Sequence, residues 1–201
     1  RLMDNGDFDR IFGHDGPGVA SINFSRGGIT SRDGAVAILL RPDGNMVLVG
    51  TSHHGYYDQH FYQTADYALV LLDNFGSETT DGSLFRWGKF REDIAERSGR
   101  EYSYDIATDA LLLPDESIVI TGQVTQPGHL GIAHVAKFDR LGDYQDIYLA
   151  DFASALDRNN QISVATAISQ HPDRDILVAV NAAGTKQNEH HINPLAGVRM
   201  T

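Results

Sequence analysis

The chain has 201 residues, no cysteine, a formal net charge of −11 and 41% hydrophobic residues. That is enough apolar side chain for a sizeable core, while no run reaches the roughly 18 apolar residues of a helical membrane span, so no membrane insertion is expected. The missing cysteine excludes disulfides and thiol catalysis, and the acidic balance repels a phosphate backbone and argues against nucleic acid as a partner.

Arg1 to Asp9, RLMDNGDFD, reads as the end of a strand entering a glycine turn, and Gly18 to Phe24 as the strand that follows it. Next come AVAILL at Ala35 to Leu40 and RPDGNMVLVG at Arg41 to Gly50, two apolar runs either side of a Pro-Asp turn. Asp43-Gly44 is a two-residue hairpin signal, because Asp and Gly tolerate positive φ. The pattern recurs as ATDALLL with LPDESIVITG (Ala107 to Gly122) and as SVATAIS with HPDRDILVAV (Ser163 to Val180). Asp115-Glu116 and Asp173-Arg174 call for a different turn geometry, since neither second residue is glycine. A third strand recurs at Tyr67 to Asp73, Ile132 to Asp139 and Leu195 to Thr201, and fourth strands are predicted near Gly88 to Ile94 and at Ile147 to Phe152.

Pro42, Pro114 and Pro172 are 72 and 58 residues apart. Self-similarity at such a period marks a repeat architecture, and four short strands per unit point to an all-β, β-propeller-like fold of three four-stranded antiparallel blades. A two-sheet sandwich would not require a threefold sequence repeat. Aligning Arg199 with Arg1 gives about 66 residues per repeat, one domain over 1–201, with both ends falling inside a blade. A closed propeller needs at least about four blades, so the expectation is a partial propeller or half of a ring completed by a second copy or by further repeats. Strands covered on both faces by adjacent blades should read as continuous apolar runs, as Ile38, Leu39 and Leu40 and Met46 to Val49 do.

The order "R-L-x-x-x-G-x-x-D-x-x-F-G" at Arg1 to Gly13, "D-x-A-x-A-I-x-x-x-P-D-G-x-x-V-L-V-G" at Asp33 to Gly50 and "D-Y-A-L-V" at Asp66 to Val70 resembles the delta-60 repeat. The resemblance spans the chain and is clearest in the first repeat; Glu116 and Arg174 replace the turn glycine in the other two. It implies a bacterial β-propeller-like repeat protein, commonly part of a large secreted or surface protein, and brings no shared catalytic residues.

Histidines supply the functional expectation. In a four-stranded antiparallel blade, the connections from strand two to three and from strand four to the next strand one emerge on the same side. Six of nine histidines fall in the second-to-third connections: His53, His54 and His60, then His129, then His190 and His191. Tyr56, Tyr57 and Asp58 enrich the first of these, and Glu96 to Asp105 brings Arg97, Arg100, Tyr102 and Tyr104 to the same side. Tyr and His add contact area with few torsions to freeze, which suits a protein or glycan partner. His54, Asp58 and His60 are the candidate ligands for a divalent metal, though their spacing matches no known ligand motif and no cofactor is expected. DNGDFD at Asp4 to Asp9 offers oxygen ligands for calcium but overlaps a turn where Asp and Asn serve the backbone. No G-x-S-x-G, H-E-x-x-H or phosphate-cradling loop is present, and the carboxylate pairs Glu92 with Asp93 and Asp105 with Asp109 carry no signature of their own. The expected function is a non-enzymatic binding and assembly module, with a hydrolase or lyase at a central funnel as the alternative and a structural spacer as the third.

Overall fold

A computed structural model describes residues 1–25, 31–55, 63–79, 89–92, 103–125, 131–149, 159–172, 175–185 and 195–200. Every element among them is a β-strand: β1 (Ser31–Leu40), β2 (Met46–Gly55), β3 (Gln63–Leu72), β4 (Lys89–Glu92), β5 (Tyr104–Leu112), β6 (Ile118–Thr125), β7 (Ile132–Phe138), β8 (Tyr144–Leu149), β9 (Asn159–Gln170), β10 (Ile176–Thr185) and β11 (Leu195–Met200). Strands β1 to β4 form one antiparallel meander, β5 to β8 a second and β9 to β11 a third. A single parallel pair, Ala65 with Tyr104, joins the first two into a mixed sheet of eight strands, and the sheets stay open.

The meanders stack face to face, and their registers place equivalent residues at equivalent depths. Leu39, Val47, Val49, Leu69 and Leu71 of the first meet Ile118, Ile120, Ala136 and Phe138 of the second in one buried cluster. Val119 and Val135, on the opposite face of the second meander, meet Val178, Val180 and Ala182 of the third. Period-two alternation thus serves two interfaces at once, which explains why the sequence runs are apolar without a break. Residues 1–25 cover part of the remaining face of the first meander, where Phe12 and Phe24 pack with Met46, Val70 and Leu72. Phe24 lies 5.7 Å from the Lys89 ammonium and 5.9 Å from the Arg91 guanidinium, and its carbonyl accepts from Arg91 at 2.7 Å.

Several expectations change. Gly18 to Phe24 enters no named strand; its one ladder contact is a bridge between Gly16 and Val19, and it contributes Ala20, Ile22 and Phe24 to packing instead. Strand β8 begins three residues before Ile147. His53 and His54 belong to β2 itself, so the second-to-third connection is shorter than the sequence suggested. Strand β1 is not covered on both faces: Ile38 is 64% and Leu40 70% exposed, because residues 1–25 pack on β2 and β3 and reach β1 only at its start, where Phe24 and Ser25 bond Asp33 and Ser31.

The first two Pro-Asp turns are also of one kind. Arg41 N donates to Asn45 O at 2.9 Å and Gly44 N to Arg41 O at 3.0 Å, a three-residue loop with a left-handed third residue rather than a two-residue turn. Leu113, Glu116 and Ser117 repeat both bonds, and His171 with Asp175 repeats the first. Glu116 therefore adopts φ 64° where Gly44 has φ 86°, instead of taking a different turn. Its carboxylate is held at 2.9 Å by the buried Arg41 guanidinium of the preceding turn.

Candidate functional site

Near one end of the strands, register aligns Arg32, His53, Ala65, Tyr104 and Thr125 in a row across five neighbouring strands. His53 and Tyr104 reach each other over Ala65, which is fully buried between them. His53 Nδ1 lies 2.8 Å from the Tyr104 hydroxyl, and the rings are 5.2 Å apart, tilted by 60°. The small side chain at 65 is what leaves room for this contact. Both partners are half-buried, so the pair presents a polar, aromatic edge shared by the first two meanders. The donor in this bond depends on the imidazole tautomer.

Of the other residues selected from the sequence, His54 stands in β2 opposite Ser31 and Thr64. Tyr56, Tyr57, Asp58, His60, Arg100, Tyr102, His129, His190 and His191 lie outside the described residues. Among the described residues, no three His, Asp or Glu side chains converge as a metal site would require. DNGDFD is engaged in its own turn: Asn5 accepts from Asp7 N at 3.1 Å and donates to the Asp7 carboxylate at 2.8 Å, while Asp9 pairs with Arg1. The Arg1 hydrogen bond, helped by Ile11 N, holds the Asp9 carboxyl below its usual range. Asp109 accepts from Ala110 N at 2.9 Å and from Ile168 N at 3.0 Å, tying the second meander to the third. Asp105 is buried and accepts from the Ser103 hydroxyl at 2.5 Å.

Two residues further along β3 stands a polar pair that sequence reasoning missed. Tyr67 and His134 are both fully buried between the first two meanders, stacked at 5.2 Å with the Tyr67 hydroxyl bonded to His134 Nε2. Burial pushes the His134 imidazole down to about 3, so it is neutral, and which partner donates in its bond with Tyr67 depends on the imidazole tautomer. Nδ1 has no hydrogen-bond partner. Burial, then the nearby Asp105 charge, pushes the Tyr67 hydroxyl well up. The pair has no opening to solvent, so it serves the interface between the meanders and not a ligand. Nothing in AHVA or DYALV distinguishes these two residues from ordinary strand residues; only the stacking of the sheets reveals them.

Among the described residues, no helix is long and apolar enough to cross a membrane. A scan of protein-family models finds no match to this chain, and a search of curated proteins finds none either.

Proposed function

We propose that this chain is a β-propeller-type, non-enzymatic recognition and assembly module of a bacterial secreted or cell-surface protein, binding a protein or glycan through the edge that carries His53 and Tyr104. The observation carrying this reading is the His53–Tyr104 contact, which sets two ring side chains from successive repeats on strands and not on free loops. Rigid presentation lowers the ordering cost of binding, and half-buried aromatic and imidazole rings suit the apolar face and hydroxyl rim of a sugar or a partner's side chains. The stacked, equivalent meanders support blades as their description, and the resemblance to the delta-60 repeat supports the bacterial surface setting. Among the described residues, Ser103, Asp105 and Asp109 are engaged in structural bonds.

The test is a glycan array probed with the labelled chain, followed by titration of the best glycan against His53→Ala and Tyr104→Phe. The expected result is binding that weakens at least tenfold in both variants while the melting temperature moves by no more than a few degrees. No binding across the array would remove the glycan and leave a protein as the partner, and binding indifferent to both variants would remove this edge as the recognition surface.

A further inference from the structure

We infer that this chain associates head to tail with a second copy of itself, the outer face of the β9–β11 sheet covering the exposed strip of β1 on its neighbour. The argument comes from the two interfaces already present inside the molecule. Register makes Ile38, Ala110 and Ile168 equivalent positions on the first strands of the three meanders. Ala110 packs against the first meander and Ile168 against the second. Ile38, which occupies the same position in the first of the described meanders, is 64% exposed, and its neighbour Leu40, equivalent to the packed Leu112, is 70% exposed.

The opposite end shows the reverse. Val47, Val119 and Leu177 are equivalent on the second strands. Val47 is buried against the second meander and Val119 against the third, whereas Leu177 is 41% exposed. The first and third meanders therefore each leave open part of an interface that the described residues form twice; on the first, residues 1–25 fill the β2 and β3 part and leave the β1 strip. The β1 strip and the face that carries Leu177 are complementary by the chain's own example, since Ala110 and Leu112 pack against the cluster that holds Val47, and a second copy carries both. The contact is heterologous, so it closes into a ring if the rotation permits and otherwise grows into an open chain. This association uses neither His53 nor Tyr104.

The test is sedimentation velocity and light scattering of the 201-residue chain across micromolar to sub-millimolar concentration, against a monomer mass of 22.0 kDa. The two variants are Ile38→Asp with Leu40→Asp on one end and Leu177→Asp on the other; all three positions are exposed, so the fold is retained, which the melting curve checks. The wild type is expected to exceed the monomer mass, and each variant to weaken association at least tenfold. Mixing the two variants should restore a dimer, because each still carries the half that the other has lost. A monomeric wild type at every concentration, association indifferent to the variants, or a mixture that remains monomeric would each overturn the inference.

Discussion

Glu116 shows how one side chain is held in a conformation it disfavours. A non-glycine residue in the left-handed region costs about 1–2 kcal/mol, and the charge-assisted bond to buried Arg41 offsets it by about 1.5–3 kcal/mol. Glu116→Ala keeps the strain and loses the bond, so urea unfolding should show it less stable by about 1.5–3 kcal/mol. Glu116→Gly loses the bond but also the strain, and should recover about 1 kcal/mol of that deficit. Equal stability of the two variants would mean that the strain is not being carried. The buried His134 imposes a different signature, this one on acid stability. Its folded pKa is depressed to about 3 while the unfolded chain has the ordinary 6.5, so between those values the unfolded chain binds a proton that the folded protein refuses. Stability is then unaffected above pH 6.5 and falls below it, by about 1.4 kcal/mol per pH unit down towards pH 3. Carboxylates steepen the same acid limb, so the decisive measurement is a difference: His134→Gln should flatten the slope between pH 6 and 4.5 by one proton relative to wild type.

At the scale of strands, each meander carries a bulge at the same place. The register slips between Ala35 and Ala37, between Ala107 and Asp109, and between Ala165 and Ala167. Opposite it stand Gly50 and Gly122, where a Cβ would run into the carbonyl oxygen of Gly34 or Ile106; the one at 122 would also come 2.7 Å from the Tyr67 hydroxyl. Gly50→Ala and Gly122→Ala should each cost about 1–3 kcal/mol in thermal unfolding, since backbone and not a flexible side chain must yield. Val180 fills the equivalent position of the third meander with its side chain buried against the second, so Val180→Ala should cost about 1–2 kcal/mol by lost burial, a mechanism opposite in kind. Most strands were legible in the sequence, because unbroken apolar runs between Pro-Asp and glycine turns have few other meanings; Gly18 to Phe24, which has no such run, enters no strand. The turn class was not, because a left-handed glutamate depends on an arginine 75 positions away, and sequence near the turn carries no trace of it. Of the site, His53 was legible as a residue and Tyr104 as a neighbour, but the contact between them depends on Ala65 being small, and Tyr67 with His134 depends on how two sheets stack.

For the whole molecule, association and charge oppose one another. Each copy carries a formal net charge of −11, so bringing two copies together works against long-range repulsion, while the proposed contact between them is centred on Ile38, Leu40 and Leu177. Apolar contact does not weaken as salt rises, and repulsion between like-charged bodies does, with a Debye length falling from about 30 Å at 0.01 M to about 3 Å at 1 M. Head-to-tail association should therefore tighten with salt, the apparent dissociation constant falling severalfold between 0.02 and 0.5 M sodium chloride in sedimentation equilibrium. An interface assembled mainly from ion pairs would respond in the opposite sense, because screening removes its attraction first. Isothermal titration of the Ile38→Asp, Leu40→Asp variant into the Leu177→Asp variant adds a second criterion: burial of apolar surface gives a negative heat-capacity change whatever the sign of the enthalpy at one temperature. Affinity that falls with added salt, or a heat-capacity change near zero, would show that the exposed apolar strips are not what the copies use to meet.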